Sequence, residues 1–105
     1  MIEQINFQGK EYPFLFGWSA YKEYIKTAEK IKDDVFDFYD KGIHLGFVCG
    51  AKKEGKKPFS FDKMIDMFDD STEFQGESMD IFFKHLGVQK KIQDKAIKGA
   101  QQLSK

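Results

Sequence analysis

Residues 2–16 alternate in polarity, and the alternation breaks once. Ile5 and Phe7 share one parity, Gln8-Gly9-Lys10 interrupts, and Tyr12, Phe14 and Phe16 resume at period two. Two short strands around a Gly turn predict a β-hairpin with those five side chains on one face. Pro13 has no N–H to give a ladder, so its strand belongs at an edge or carries a bulge. An isolated hairpin is marginal in water and needs helices to lie on.

After Gly17 the period becomes helical. Trp18, Tyr21, Ile25 and Ala28 recur at helical spacing beside Tyr24, opposite a charged face, and predict a helix over 18–31 capped at Gly17 or Ser19. Asp33-Asp34 open the most apolar helix, with Val35, Phe36, Phe38, Tyr39, Ile43, Phe47 and Val48. Within it Gly42, Gly46 and Gly50 stand four apart, on one stripe. Each glycine costs a helix interior about 1 kcal/mol relative to alanine, so close approach by another element is the expected compensation, the alternative being a helix that breaks at Gly42 and ends at Gly50. Residues 51–58 hold four lysines and read as a solvated connector.

Ser60 caps the next helix, whose stripe is Phe61, Met64, Ile65 and Phe68, with Met67 adjoining. Asp69-Asp70-Ser71-Thr72-Glu73 is expected to interrupt it as an acidic loop. Met79, Phe82, Phe83 and Leu86 form the next stripe, and Gly87 is expected to end that helix. Val88, Ile92, Ala96 and Leu103 carry a thinner stripe through a Lys/Gln-rich tail. The fold class expected is therefore α+β, mainly α, with an N-terminal hairpin packed on four to five helices. It forms one domain over 1–105: the hairpin at 1–17, a helical core at 18–87, and a C-terminal helix or flexible tail at 88–105.

Composition narrows the function. Seventeen basic residues, all Lys, balance seventeen Asp plus Glu. Zero net charge without Arg argues against a dedicated nucleic-acid binder. No stretch nears the roughly 20 apolar residues of a membrane span. The opening Met1-Ile2-Glu3-Gln4 has neither the basic segment nor the apolar run of an export signal. A single cysteine excludes an internal disulfide and fits a reducing compartment. Aromatic residues make up 16% of the chain, enough that some rings are expected at the surface, where they mark partner binding.

Candidate chemistry is sparse. His44 and Cys49 lie about 140° apart around one helix, so they are expected to diverge rather than act as a pair. His44 and His85 read as surface or boundary histidines, and Cys49 as an inert thiol. The twelve residues from Asp69 to Asp80 have the length of a calcium loop. However, Phe74 stands where the loop needs glycine, and Asp80 replaces the bidentate glutamate. No catalytic residue, metal site or cofactor is expected.

The segment Ile5-Asn6-Phe7-Gln8-Gly9-Lys10-Glu11-Tyr12-Pro13-Phe14-Leu15-Phe16-Gly17, followed by Ala20-Tyr21-Lys22-Glu23-Tyr24, resembles the opening of tail assembly chaperones of long-tailed phages. These begin with a short strand, a Gly-Lys-x-Tyr turn, a second strand ending in Phe-Gly and an amphipathic helix. The resemblance implies a non-catalytic protein of the host cytoplasm that binds the tape measure protein, keeps it soluble and helps recruit tail tube protein. In many such phages a translational frameshift near the end of the gene adds a second domain, so the resemblance leaves open whether this chain is the shorter of two products. Such a holdase needs adaptable apolar contacts, and Met64, Met67, Phe68, Met79, Phe82 and Phe83 form the candidate set. The same six residues also suit a core. Self-association through a helix face is a further expectation. The competing reading is a small structural or adaptor subunit of a virion or other complex.

Overall fold

A computed structural model describes residues 2–28 and 35–103. Strands β1 (Glu3–Phe7) and β2 (Lys10–Phe14) form an antiparallel hairpin, with Ile5 opposite Tyr12 and Phe7 opposite Lys10. Gln8 and Gly9 both adopt positive φ, as a two-residue hairpin turn of this hand requires. Counting from the turn, Gln4 and Pro13 form a non-hydrogen-bonded pair, so the missing N–H of Pro13 faces away from the ladder. The register is continuous, and the strand is an edge rather than a bulge. Ile5, Phe7, Phe14 and Phe16 are buried and Tyr12 is half-buried, on the expected face.

Among the described residues four helices follow: α1 (Trp18–Ala28), α2 (Val35–Lys53), α3 (Phe61–Asp70) and α4 (Thr72–Leu103). The protein is α+β, mainly α. The Gly17 carbonyl accepts the Tyr21 N–H at the start of α1, and the Ser60 hydroxyl accepts the Lys63 N–H at the start of α3. The expected extension of α1 to residue 31 and the Asp33-Asp34 start of α2 lie outside the described residues. Residues 52–57 are exposed, although Lys52 and Lys53 still belong to α2.

The glycine stripe of α2 is where the hairpin docks. A Cβ on Gly46 would sit 2.2 Å from the Phe14 ring, and one on Gly50 would sit 2.3 Å from the Pro13 carbonyl oxygen. A Cβ on Gly42 would meet Phe82 and Tyr24, each at 2.6 Å. The outer edge of β2 thus lies against the helix backbone, and the Leu15 N–H donates to the Gly46 carbonyl at 3.0 Å. Around this contact, edge-on ring pairs fill the core: Phe14–Phe47, Phe16–Phe82 and Phe7–Phe74, all with centroids within 5.2 Å.

Two expectations need correction. The acidic loop is a single residue: Ser71 joins α3 to α4, its hydroxyl accepting the Phe74 N–H, and Asp69, Asp70 and Glu73 are helical. Nor does α4 stop at Gly87. It runs 32 residues, about 48 Å at the usual rise, in a molecule whose longest dimension is 54 Å. Packing on both sides of Gly87 explains this. His85 donates to the Glu3 carboxylate before it, and Gln93 accepts the Tyr21 hydroxyl after it. Residues 88–103 therefore continue the core helix rather than forming a separate segment.

Two stability predictions arise here. The hydrogen bond from His85 holds the Glu3 carboxyl below its ordinary value of 4.5, with partial burial opposing. A lowered carboxylate stabilises the fold above its ordinary titration range and loses that contribution as pH falls through the folded value. Glu3→Gln is expected to cost about 1 kcal/mol or less at pH 7, and nothing once Glu3 is protonated in both states. Urea midpoints of parent and variant, followed downward from pH 7 until their difference vanishes, check this. The Tyr24 hydroxyl is buried without a hydrogen-bond partner, and burial pushes its ionisation far up. Tyr24→Phe is expected to leave the melting temperature unchanged or raise it, because the removed group satisfies nothing.

Candidate partner-binding groove

Of the six candidate contact residues, Met64, Met67, Phe68 and Phe82 are buried and Met79 is half-buried. Only Phe83 is exposed, and its ring lies 5.1 Å from that of Tyr39. Helix α3 turns its stripe inward against α2 and α4. The six residues therefore present no common surface, and in this fold four of them are interior side chains.

The open apolar surface lies elsewhere. Among the described residues, the large exposed hydrophobics are Trp18, Ile25, Val35, Phe36, Phe83, Val88, Ile92 and Ile97. Three of these, Trp18, Ile25 and Ile97, line one groove of about 420 Å³ between α1 and the distal half of α4. Tyr21, Ala96 and Ala100 complete its apolar lining, with Gln93, Lys22 and Lys26 as its polar members.

Local sequence accounts for this shape. Trp18, Tyr21 and Ile25 occupy i, i+3 and i+7 of α1, so they share a face. Trp18 stacks on Tyr21 with a 5.7 Å centroid separation, which stiffens that wall. Ala96 and Ala100 are one turn apart on α4, and their short side chains leave the depression that Ile97 borders. The Tyr21 hydroxyl donates to Gln93 and fixes the spacing of the two helices. Burial and the Asp94 carboxylate both push the Tyr21 phenol up, so it remains a neutral donor at physiological pH. The groove is an open, largely apolar trough whose charged lining residues are Lys22 and Lys26.

His44 and Cys49 lie outside the groove. The His44 Nε2 donates to the Phe59 carbonyl at 2.9 Å and anchors the 56–60 connector to α2. Burial pushes the Cys49 thiol up, with Lys52 opposing, so it is not a thiolate at neutral pH. Among the described residues no group of three or more His, Cys, Asp or Glu side chains is placed to hold a metal. No described helix is long and apolar enough to cross a membrane.

The sequence pattern places Trp18, Tyr21 and Ile25 on one stripe but does not show that part of that stripe is left uncovered. The usable signal was the small-residue pair Ala96 and Ala100 beside Ile97, in a tail whose helicity the glycine at 87 obscures. Comparison with protein-family models, with curated proteins and with solved structures returns no match.

Proposed function

We propose that this chain is a helix-binding assembly factor: a tail assembly chaperone of a long-tailed phage, which holds the tape measure protein soluble in the host cytoplasm while the tail forms and takes no part in covalent chemistry. The observation that carries the proposal is the apolar groove between α1 and α4. A client helix laid into it shields its own apolar face while the rest of the chaperone meets water. The hairpin-to-Phe-Gly-to-helix opening supports the family reading, and its Tyr21 lies in one wall of the groove; Trp18 beside it matches no fixed position of that family. Recruitment of tail tube protein belongs to the same proposal.

Co-expression with the tape measure protein of the same genome tests it. Soluble yield of that client is expected to rise severalfold over expression alone, and an unchanged yield rejects the client role. Mass spectrometry of purified virions separates an assembly factor, which is depleted from the particle, from a structural or adaptor subunit, which is retained at stoichiometric level.

A further inference from the structure

The groove lies between two segments that together carry net positive charge. Over the whole sequence Lys and acidic residues balance. Yet α1 and residues 88–103 together carry six lysines against Glu23 and Asp94, a net charge of +4. Residues 61–80 run the other way, with Lys63 alone against seven acids. Both charged side chains that line the groove are lysines, Lys22 and Lys26. Lys26 meets Glu23 at 3.7 Å, but both are well exposed, so that pair contributes little and leaves Lys26 available.

An apolar trough with lysines along it complements an amphipathic helix whose apolar stripe is bordered by Asp and Glu. We propose that the groove selects such an acidic-flanked helix, presented by another protein. This inference rests on the helix-binding reading above and adds the chemistry of the partner. The lining spans Trp18 to Lys26 on α1 and Gln93 to Ala100 on α4, about 12 Å and about 10 Å along the two axes. That is two helical turns, so the occupant contributes three or four apolar residues at i, i+3, i+4 and i+7. A second copy of this chain is a poor occupant. Its acidic segments, α3 and the proximal part of α4, bury Met64, Met67, Phe68, Phe74 and Phe82 and leave Phe83 alone exposed, while the exposed Val35 and Phe36 beside Asp37 are adjacent residues and do not form a two-turn stripe.

Trp18 is the chain's single tryptophan and lines the groove, so its emission reports occupancy directly. The test titrates the protein with two Trp-free 18-residue amphipathic peptides that share one leucine stripe, flanked in one by Glu and in the other by Lys. The Glu-flanked peptide is expected to shift Trp18 emission to the blue and to bind about tenfold more tightly at low salt, with the difference narrowing in 0.5 M NaCl. The double variant Lys22→Glu with Lys26→Glu is expected to reverse the preference. Ala96→Leu with Ala100→Leu, both at exposed positions, is expected to abolish the shift while leaving the circular dichroism spectrum unchanged. Equal binding of the two peptides overturns the charge selection and leaves the helix-binding reading standing. Failure of both peptides to move Trp18 overturns both. Undiminished binding to the filled groove, or self-association that Lys22→Glu abolishes, assigns the surface differently and also overturns the proposal.

Discussion

Gly50→Ala is expected to destabilise the protein by about 3 kcal/mol or more, against the direction that helix propensity alone gives. The substitution replaces a poor helix former with the best one in the interior of α2, an intrinsic gain of about 1 kcal/mol. The new methyl would stand 2.3 Å from the Pro13 carbonyl oxygen and 2.8 Å from the Phe14 nitrogen. These are backbone atoms of a paired strand, and they cannot rotate away. Gly46→Ala meets a different obstacle of similar severity, since the Phe14 ring at 2.2 Å is fully buried and has nowhere to move. Gly87→Ala supplies the control. Nothing lies within 4 Å of the position where its Cβ would be, so the same exchange in α4 is expected to stabilise by about 0.5–1 kcal/mol. Urea denaturation of the three variants measures the contrast. A Gly50→Ala protein as stable as the parent would mean that β2 does not rest on the backbone of α2.

Phe82→Ala is expected to cost about 3–5 kcal/mol, and the neighbouring Phe83→Ala about 1 kcal/mol or less. Phe82 is 0% exposed, and its ring meets those of Phe16 and Tyr24 at 5.1 and 5.4 Å, both nearly edge-on. It also closes over Gly42, so truncation opens a cavity between α2 and α4 that the ring cluster cannot collapse to fill. Phe83 is 41% exposed and leans on Tyr39 at the surface. Thermal melts of the two variants rank them directly. Comparable losses would mean that α4 is rotated about its axis from the orientation described.

These adjacent phenylalanines show how far the sequence could be read. Their stripe with Met79 and Leu86 was evident from spacing, because periodicity states which residues share a helix face. Which part of that face is covered depends on where α2 and the hairpin sit, and no local pattern carries that. The hairpin and the Ser60 cap were legible because each is set by residues near one another in sequence; the glycine stripe announced a close approach at Gly42, Gly46 and Gly50, but not that Phe14, Pro13 and Phe82 would make it. Gly87 misled for the opposite reason. A glycine after an apolar stripe is a local stop signal, whereas the contacts that carry α4 past it, Glu3 with His85 and Tyr21 with Gln93, join residues 82 and 72 positions apart. The acids at 69–73 suggested a loop by composition, yet Asp69, Asp70 and Glu73 are exposed positions on helices that bury Phe68 and Phe74 beside them. The groove was hidden for both reasons at once: its two walls are 70 residues apart, and one of them lies beyond the false stop.

The most direct measurement places a photo-crosslinking residue at Ile97, in the groove, and separately at Asp62, exposed on α3 outside it, in cells that also make the tape measure protein. Ile97 is predicted to yield the crosslinked pair and Asp62 none. Crosslinking from Asp62 with none from Ile97 would contradict the claim that a client helix lies between α1 and α4.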